Sequence, residues 1–185
     1  MRFSDDRYEE IKAEVIDLFI RYHVRCIPIS GFELAMKMGI LLIPYSSLSS
    51  EQQKAALTIS SDGFYCEPGD GSERIYYNDT IGYERSNMTI LHEIGHAVLG
   101  HYSEMDSEEA ETEARFFAKY AIAPPPLVHT LGPSCPEEIE SAFVISLEAA
   151  YYAYEYYHKW LKQYNQTGIY NEYEHRLLRL FRENA

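Results

Sequence analysis

Long apolar runs are missing from this sequence. The first apolar segment, Ile11–Ile20, is interrupted by Lys12, Glu14 and Asp17, and no run approaches the roughly 18 apolar residues that a membrane helix needs. The polar start, Met1–Asp6, is unlike a secretory signal. We therefore expect a soluble, cytoplasmic protein.

Cysteine is scarce as well. The chain has 3 cysteines in 185 residues, and Cys26, Cys66 and Cys135 are too widely spaced to form a CxxC pair. This spacing indicates neither a cysteine zinc site nor a disulfide framework. Free thiols are typical of a reducing compartment, which agrees with the expected cytoplasmic location.

Basic residues are outnumbered. Lysine and arginine total 16 against 29 acidic residues, which gives a net charge of -13. Such a surface repels the phosphates of nucleic acids and of anionic membranes, so we expect direct binding to neither. The charge would suit a basic protein partner, or it serves solubility alone.

The residue pattern predicts a single α+β domain over residues 1–185, with a helical C-terminal part, about 136–185, packed on a catalytic core. Helices are predicted at 8–23, 30–39, 85–99, 107–123, 136–142, 146–163 and 171–182. Strands are predicted at 40–44, 55–60, 64–67 and 73–78, with a hairpin turn at 61–63. These segments indicate a small, mostly antiparallel sheet packed on the helices.

Local signals mark several helix ends. Ser30 is a predicted N-cap, with Glu33 placed three residues later to complete a capping box, and Gly39 should end that helix. Ser107 is a second predicted N-cap. The prolines at 124–126 should end the helix that Ser107 begins.

The most informative stretch is the segment HEIGH at His92–His96. A helix advances about 100° per residue, so His92 and His96 lie one turn and about 40° apart on the same face. Their imidazoles can meet at one Zn²⁺, with Glu93 beside them as the general base of a metallopeptidase. Two core histidines at this spacing are the alternative, but buried imidazoles and a carboxylate would then need other partners.

A zinc site of this type needs a third protein ligand. The extended pattern HExxHxxGxxH is not supported, because Leu99 and Tyr102 occupy the positions of its glycine and its last histidine. A glutamate from the following helix is the alternative. The spacing leaves five glutamates open: Glu104, Glu108, Glu109, Glu111 and Glu113.

Several segments together resemble the ImmA/IrrE metallopeptidase family. They are HEIGHAVLGH at 92–101, ETEARFFA at 111–118 followed by Ala123-Pro124, ERIYYN at 73–78 and SAFVIS at 141–146. The resemblance implies a zincin-like α+β fold that includes the HExxH helix, a Zn²⁺ cofactor and Glu111 as the third ligand. It also implies a regulatory endopeptidase that inactivates a helix-turn-helix repressor in a phage, mobile-element or stress-response circuit.

One residue departs from the family pattern. Arg115 stands where the family usually has Asn or Asp, a residue that commonly supports the histidine ligands. Either another group, such as Asp106, takes that role, or the metal binds more weakly.

Other details of the site stay open at the level of sequence. The donor to the oxyanion could be Tyr76, Tyr77, His101 or His129, and Glu73–Asn78 is the predicted strand beside which a peptide would lie. A non-proteolytic protein that uses the same fold to bind a regulator, or a small-molecule hydrolase, are the alternative functions. The presence of Glu93 argues against the binding protein, which has no need of a base.

Overall fold

The computed structural model describes residues 4–101 and 107–182. In these ranges the chain forms two compact units, one made of Ser30–Ala118 and the other of the described residues before Ser30 and after Ala118. No helix among the described residues is long and apolar enough to cross a membrane.

Within the described ranges the elements follow one another as helices with three short strands between them. They are α1 (Asp5–Arg21), α2 (Gly31–Met38), β1 (Leu41–Pro44), a 3₁₀ turn (Tyr45–Ser47), α3 (Ser50–Ile59), β2 (Gly63–Cys66), β3 (Arg74–Tyr77), α4 (Tyr83–Leu99), α5 (Glu108–Ile122), α6 (Pro125–Leu131), α7 (Pro136–Phe143), α8 (Leu147–Thr167) and α9 (Glu172–Arg182). The predicted α+β class is confirmed.

The sheet has the strand order β1-β3-β2. β2 runs antiparallel to β3, with Tyr65 opposite Ile75, while β1 runs parallel to β3, with Leu42 opposite Ile75. The sheet is therefore mixed, where the sequence predicted a mostly antiparallel one. A parallel pair requires a long crossover, and the chain between β1 and β3 supplies it with α3 and β2.

The strand predicted at residues 55–60 is wrong, because residues 55–59 belong to α3 and Ser60 is the C-cap of that helix. Ser49 caps this helix: its side chain accepts a hydrogen bond from the Gln52 amide, and the Gln52 side chain accepts one from the Ser49 amide. This capping box starts a helix that continues through the apolar residues up to Ile59. Leu57 and Ile59 are 52% and 66% exposed, so they do not form the buried strand that their apolar character indicated.

The predicted N-caps at Ser30 and Ser107 and the predicted end at Gly39 agree with the structure, whereas the Glu33 side chain of the predicted capping box pairs with Lys37. Ser30 accepts a hydrogen bond from the Glu33 amide, Gly39 ends α2 with φ of 83°, and Ser107 accepts one from the Ala110 amide. The prolines at 124–126 do follow the end of α5, but α6 begins among them. Proline suits the first turn of a helix, where its missing N–H would have no partner inside the helix.

Helix α4 occupies the centre of the first unit and packs against α2, β2 and β3. Ile90, Leu91 and Ile94 are fully buried on its inner face, as is Ile75 of β3. The Asn87 side chain accepts a hydrogen bond of 2.7 Å from the amide of Gly31, which ties the start of α2 to α4. The core thus fixes the helix that carries the HEIGH segment.

The second unit is helical among its described residues. In it α1 packs against α9, and α6 and α7 pack against α8. Its core contains fully buried side chains from α1, α7 and α9, namely Ile11, Val15, Ile16, Phe19, Ile139, Phe143 and Leu177.

Candidate metal centre

The two histidines of the HEIGH segment face each other one turn apart on α4. Their Nε2 atoms are 3.1 Å apart, and the rings meet nearly edge to face. The side chain of His96 is only 2% exposed, while that of His92 is 20% exposed. The pair therefore presents two nitrogens to one point, with His92 on the more open side.

Glu111 of α5 completes this group. Its two carboxylate oxygens lie 3.5 Å from His92 Nε2 and 3.2 Å from His96 Nε2. The corners of a tetrahedron around an ion bound at 2.0–2.1 Å are about 3.3 Å apart, which is close to the spacing between the two Nε2 atoms and between each of them and its nearer Glu111 oxygen. These three side chains could hold a metal, and they are the group of this kind found among the described residues.

Gly95 allows α5 to come this close to α4. A methyl group placed on Gly95 would be 3.1 Å from the ring of Phe117, a fully buried residue of α5. The absence of a side chain at this position brings the helix that carries Glu111 against the helix that carries the histidines.

Both histidines are in the protonation state that a metal ligand requires. Burial lowers the pKa of His92 below its ordinary value, although the Glu111 carboxylate opposes the shift. Burial and the neighbouring His92 together lower the pKa of His96 to about 4. Both rings are therefore neutral at pH 7, with a nitrogen lone pair available to an ion.

Glu93 is buried beside this group, with only 6% of its surface exposed. Its carboxylate accepts a hydrogen bond of 2.9 Å from the backbone amide of Tyr65 on β2. Burial raises the pKa of Glu93 to about 8; the Tyr65 amide opposes the shift and Glu111 adds to it. A carboxyl group with a pKa near neutrality is suited to accept and release a proton.

The strand beside the centre is β2. The sequence had predicted Glu73–Asn78, which contains β3. β3 lies in the middle of the sheet and pairs with β1 and β2 on its two sides. The second edge of β2 pairs with no strand among the described residues, and the Tyr65 amide on that edge reaches Glu93.

The guanidinium of Arg85 on α4 holds the turn before β2 through two nitrogens that bind the Asp62 carboxylate.

A cleft of about 500 Å³ opens along this edge. Its walls come from the end of α3, from β2 and the turn before it, from α4 and from α5. The lining residues are Ile59, Ser60, Ser61, Asp62, Gly63, Phe64, Arg85, Met88, Thr89, His92, Glu93, His96, Glu111 and Arg115. A chain segment in the cleft would therefore contact both the edge of β2 and the three possible ligands.

Replacing Gly63 should disturb this arrangement. A methyl group at Gly63 would lie 2.7 Å from the Thr89 side chain and 2.7 Å from the Tyr76 carbonyl oxygen. We expect Gly63→Ala to lower the free energy of unfolding by about 1–3 kcal/mol, the usual cost of an overpacked core. Chemical denaturation would measure this change.

Gly95→Ala is the control for Gly63→Ala. Its nearest contact is 3.1 Å, and alanine in a helix gains about 1 kcal/mol over glycine, so its loss should be smaller. A loss for Gly63→Ala no larger than that for Gly95→Ala would show that β2 can move away from α4 without cost.

A third histidine, His101, and a third glutamate, Glu113, lie behind His96. The Nδ1 atoms of His101 and His96 are 3.2 Å apart, and His101 Nε2 is 3.1 Å from a carboxylate oxygen of Glu113. Both His101 and Glu113 are buried. From the sequence we predicted other roles for these residues, His101 as an oxyanion donor and Glu113 as an alternative ligand. Residue spacing does not tell which way a side chain faces.

Arg115 contacts the possible ligand set at Glu111. Its Nη2 atom lies 3.7 Å from Glu111 Oε2, and its side chain is 61% exposed. The guanidinium thus lies at the cleft, on the solvent side of Glu111. Asp106, proposed from the sequence as a substitute support, lies outside the described residues, as do Tyr102 and Glu104.

The remaining sequence candidates have other neighbours. Tyr76 stacks on Phe64, and Tyr77 packs edge to face on Phe32. His129 belongs to the second unit, where its Nδ1 is 3.0 Å from the hydroxyl of Tyr157. The other glutamates considered, Glu108 and Glu109, are exposed in the first turn of α5 and are absent from the described ligand group.

Comparison with known protein families gives a match over residues 35–164, well over half of the chain. The matching family is Peptidase_M78, described as the IrrE N-terminal-like domain. The chain belongs to this family. Peptidase_M78 membership confirms the ImmA/IrrE resemblance and supports a metallopeptidase-type function that acts on protein and depends on a metal. Comparison with curated proteins gave no match.

Proposed function

We propose that this Peptidase_M78 protein is a zinc-dependent endopeptidase with His92, His96 and Glu111 as ligands and Glu93 as the general base. The observation that carries the proposal is the convergence of three ligand atoms beside a buried carboxylate, in a cleft that runs along a sheet edge. Each group has a role in peptide hydrolysis.

The ligand set favours zinc among the common metals. Two imidazoles and one carboxylate at tetrahedral spacing, with room in the cleft for a further ligand, are typical of catalytic zinc. A zinc ion bound there would supply a Lewis acid that polarises the peptide carbonyl and makes water more acidic.

Glu93 performs the proton transfers. Its carboxylate takes a proton from the attacking water and returns it to the nitrogen of the leaving amine. The hydrogen bond from the Tyr65 amide holds one carboxylate oxygen, which leaves the other oxygen for the water. Burial raises the pKa of this carboxyl group to about 8, so it holds a proton more firmly than a carboxyl group in water does.

A peptide substrate would lie along the outer edge of β2. The Tyr65 amide on this edge donates to Glu93 and the Gly63 amide donates to Ser60 Oγ, so the edge offers a peptide the carbonyl oxygens of these two residues, which also point away from β3 in an antiparallel pairing. An extended peptide that adds to this edge passes the group of possible ligands, which share the cleft with Gly63 and Phe64. This geometry favours a protein substrate in an extended conformation over a small molecule.

For the natural substrate we propose a helix-turn-helix transcriptional repressor, in keeping with the regulatory role that the family resemblance implies. The charge of -13 supports this choice, because a DNA-binding protein carries basic surfaces that an acidic partner attracts.

The direct test is to incubate the zinc-loaded protein with purified candidate repressors and to identify the fragments by mass spectrometry. We expect one or a few cleavages in an exposed, extended segment of the repressor. A chelator should stop the cleavage and added zinc should restore it. Loss of repressor activity without any cut would instead favour a regulator-binding protein that does not hydrolyse peptides.

A further inference from the structure

We propose that His101 and Glu113 form a hydrogen-bonded relay that fixes the tautomer of His96 and thereby prepares its Nε2 atom to bind the metal. The three side chains follow one another in contact, from Glu113 Oε2 to His101 Nε2 and from His101 Nδ1 to His96 Nδ1, at 3.1 Å and 3.2 Å. This inference rests on the proposed metal site. It assigns the role of positioning residue to His101 and Glu113, neither of which belongs to the ligand group.

The direction of the relay follows from the carboxylate at its end. A carboxylate only accepts hydrogen bonds, so a His101 ring that carries a single proton has that proton on Nε2, facing Glu113. His101 Nδ1 is then an acceptor, and it can contact His96 Nδ1 favourably only if that nitrogen carries the proton of His96. The lone pair of His96 is thereby placed on Nε2, the atom that faces His92 and Glu111.

The opposite direction would block the site. If His101 donated from Nδ1, its Nε2 lone pair would face the lone pairs of Glu113, which repel it. The proton of His96 would then lie on Nε2 and point at the place where the ligand atoms meet. Burial makes this arrangement costly, because His96, His101 and Glu113 are each less than a tenth exposed and have little water to compensate for a mismatched contact.

The relay also explains how His96 is supported although Arg115 replaces the Asn or Asp of the family pattern. The family position that usually carries Asn or Asp holds an arginine here, and its guanidinium contacts Glu111 on the solvent side. In this chain the support for His96 reaches its Nδ1 atom through His101, five residues after the motif, and through Glu113 on α5. Such outer partners typically change metal affinity by about 10–100-fold.

Glu113→Gln tests the relay with almost no change of shape. A glutamine can donate from its amide nitrogen as well as accept, so it no longer dictates the direction of the contacts to His101 and His96. Glu109→Gln is the matched control, because it removes the same charge from an exposed position on the same helix.

The first measurement is the tautomer of His96 in the metal-free proteins, read from two-bond ¹H–¹⁵N spectra at pH 8. We expect the wild type and Glu109→Gln to carry the proton on Nδ1, and Glu113→Gln to show a substantial fraction with the proton on Nε2. Backbone amide spectra verify that the variants are folded. A His96 proton on Nε2 in the wild type, or an unchanged tautomer in Glu113→Gln, would overturn the proposal.

The second measurement is zinc affinity by competition with a chromophoric chelator. We expect Glu113→Gln and His101→Phe to bind zinc about 10–100-fold more weakly than the wild type. Equal affinity would contradict the relay even if the protein cleaves repressors. Conversely, weaker binding with the expected tautomers would support the relay even if no cleavage is found, so the two proposals fail separately.

Discussion

Glu93→Gln should lower kcat for peptide cleavage by about 10²–10⁴-fold, the usual contribution of a general base, while the protein still binds zinc. Glutamine has the shape of glutamate and keeps an oxygen that can accept the Tyr65 amide, so the contact between β2 and α4 should survive. It cannot accept the proton of the attacking water. Steady-state cleavage of a peptide that spans the cut site would measure the change in kcat.

The matched control is Glu84→Gln, which makes the same replacement at an exposed position in the first turn of α4. It should cleave at the wild-type rate. Metal content measured on the same samples separates loss of the base from loss of the ion. If Glu93→Gln regulated its target as well as the wild type does, peptide hydrolysis would not be the mechanism.

Glu111→Ala should weaken zinc binding more than a replacement of His101 or Glu113 does. Removing a carboxylate whose oxygens lie 3.2 Å and 3.5 Å from the two imidazole nitrogens leaves two ligands where catalytic zinc uses three. We therefore expect the affinity to fall by more than the roughly 100-fold that loss of a supporting residue can cause. Equilibrium dialysis followed by metal analysis would detect this as protein with little bound zinc.

Glu109→Ala provides the comparison for Glu111→Ala, since it removes an exposed carboxylate two residues away on the same helix. Its zinc content should equal that of the wild type. The assignment of the third ligand would be wrong if zinc remained in Glu111→Ala and disappeared in Glu113→Ala. The relay predicts an intermediate result for Glu113→Ala, with weaker binding at a stoichiometry near one.

The features predicted well from the sequence are those that depend on near neighbours along the chain. The placement of His92 and His96 on one face follows from helical periodicity alone. The caps at Ser30 and Ser107 and the stop at Gly39 follow from side chains and backbone angles within three or four residues. The wrong prediction at residues 55–60 has a local cause too, because the capping box of Ser49 and Gln52 starts a helix just before this apolar run.

The order of the strands could not be predicted in this way. β1 and β3 pair although some 30 residues separate them, and that pairing gives β3 the central position and β2 the edge. The amino-acid composition of each short strand would suit a central strand as well as an edge strand. The choice depends on the packing of α4 against β2, where Gly63 allows close contact, and no local pattern reports this contact.

By itself, then, the sequence determined the chemistry of this protein: a helix with two imidazoles and a carboxylate, followed by a helix rich in glutamate. Only the tertiary structure decided how these groups are used. It brings Glu111 to the histidines across the close approach at Gly95, turns Glu113 towards His101, and sets the Tyr65 amide against Glu93. The physical reason is that such contacts depend on the distance and rotation between packed helices and strands, which arise from the core as a whole.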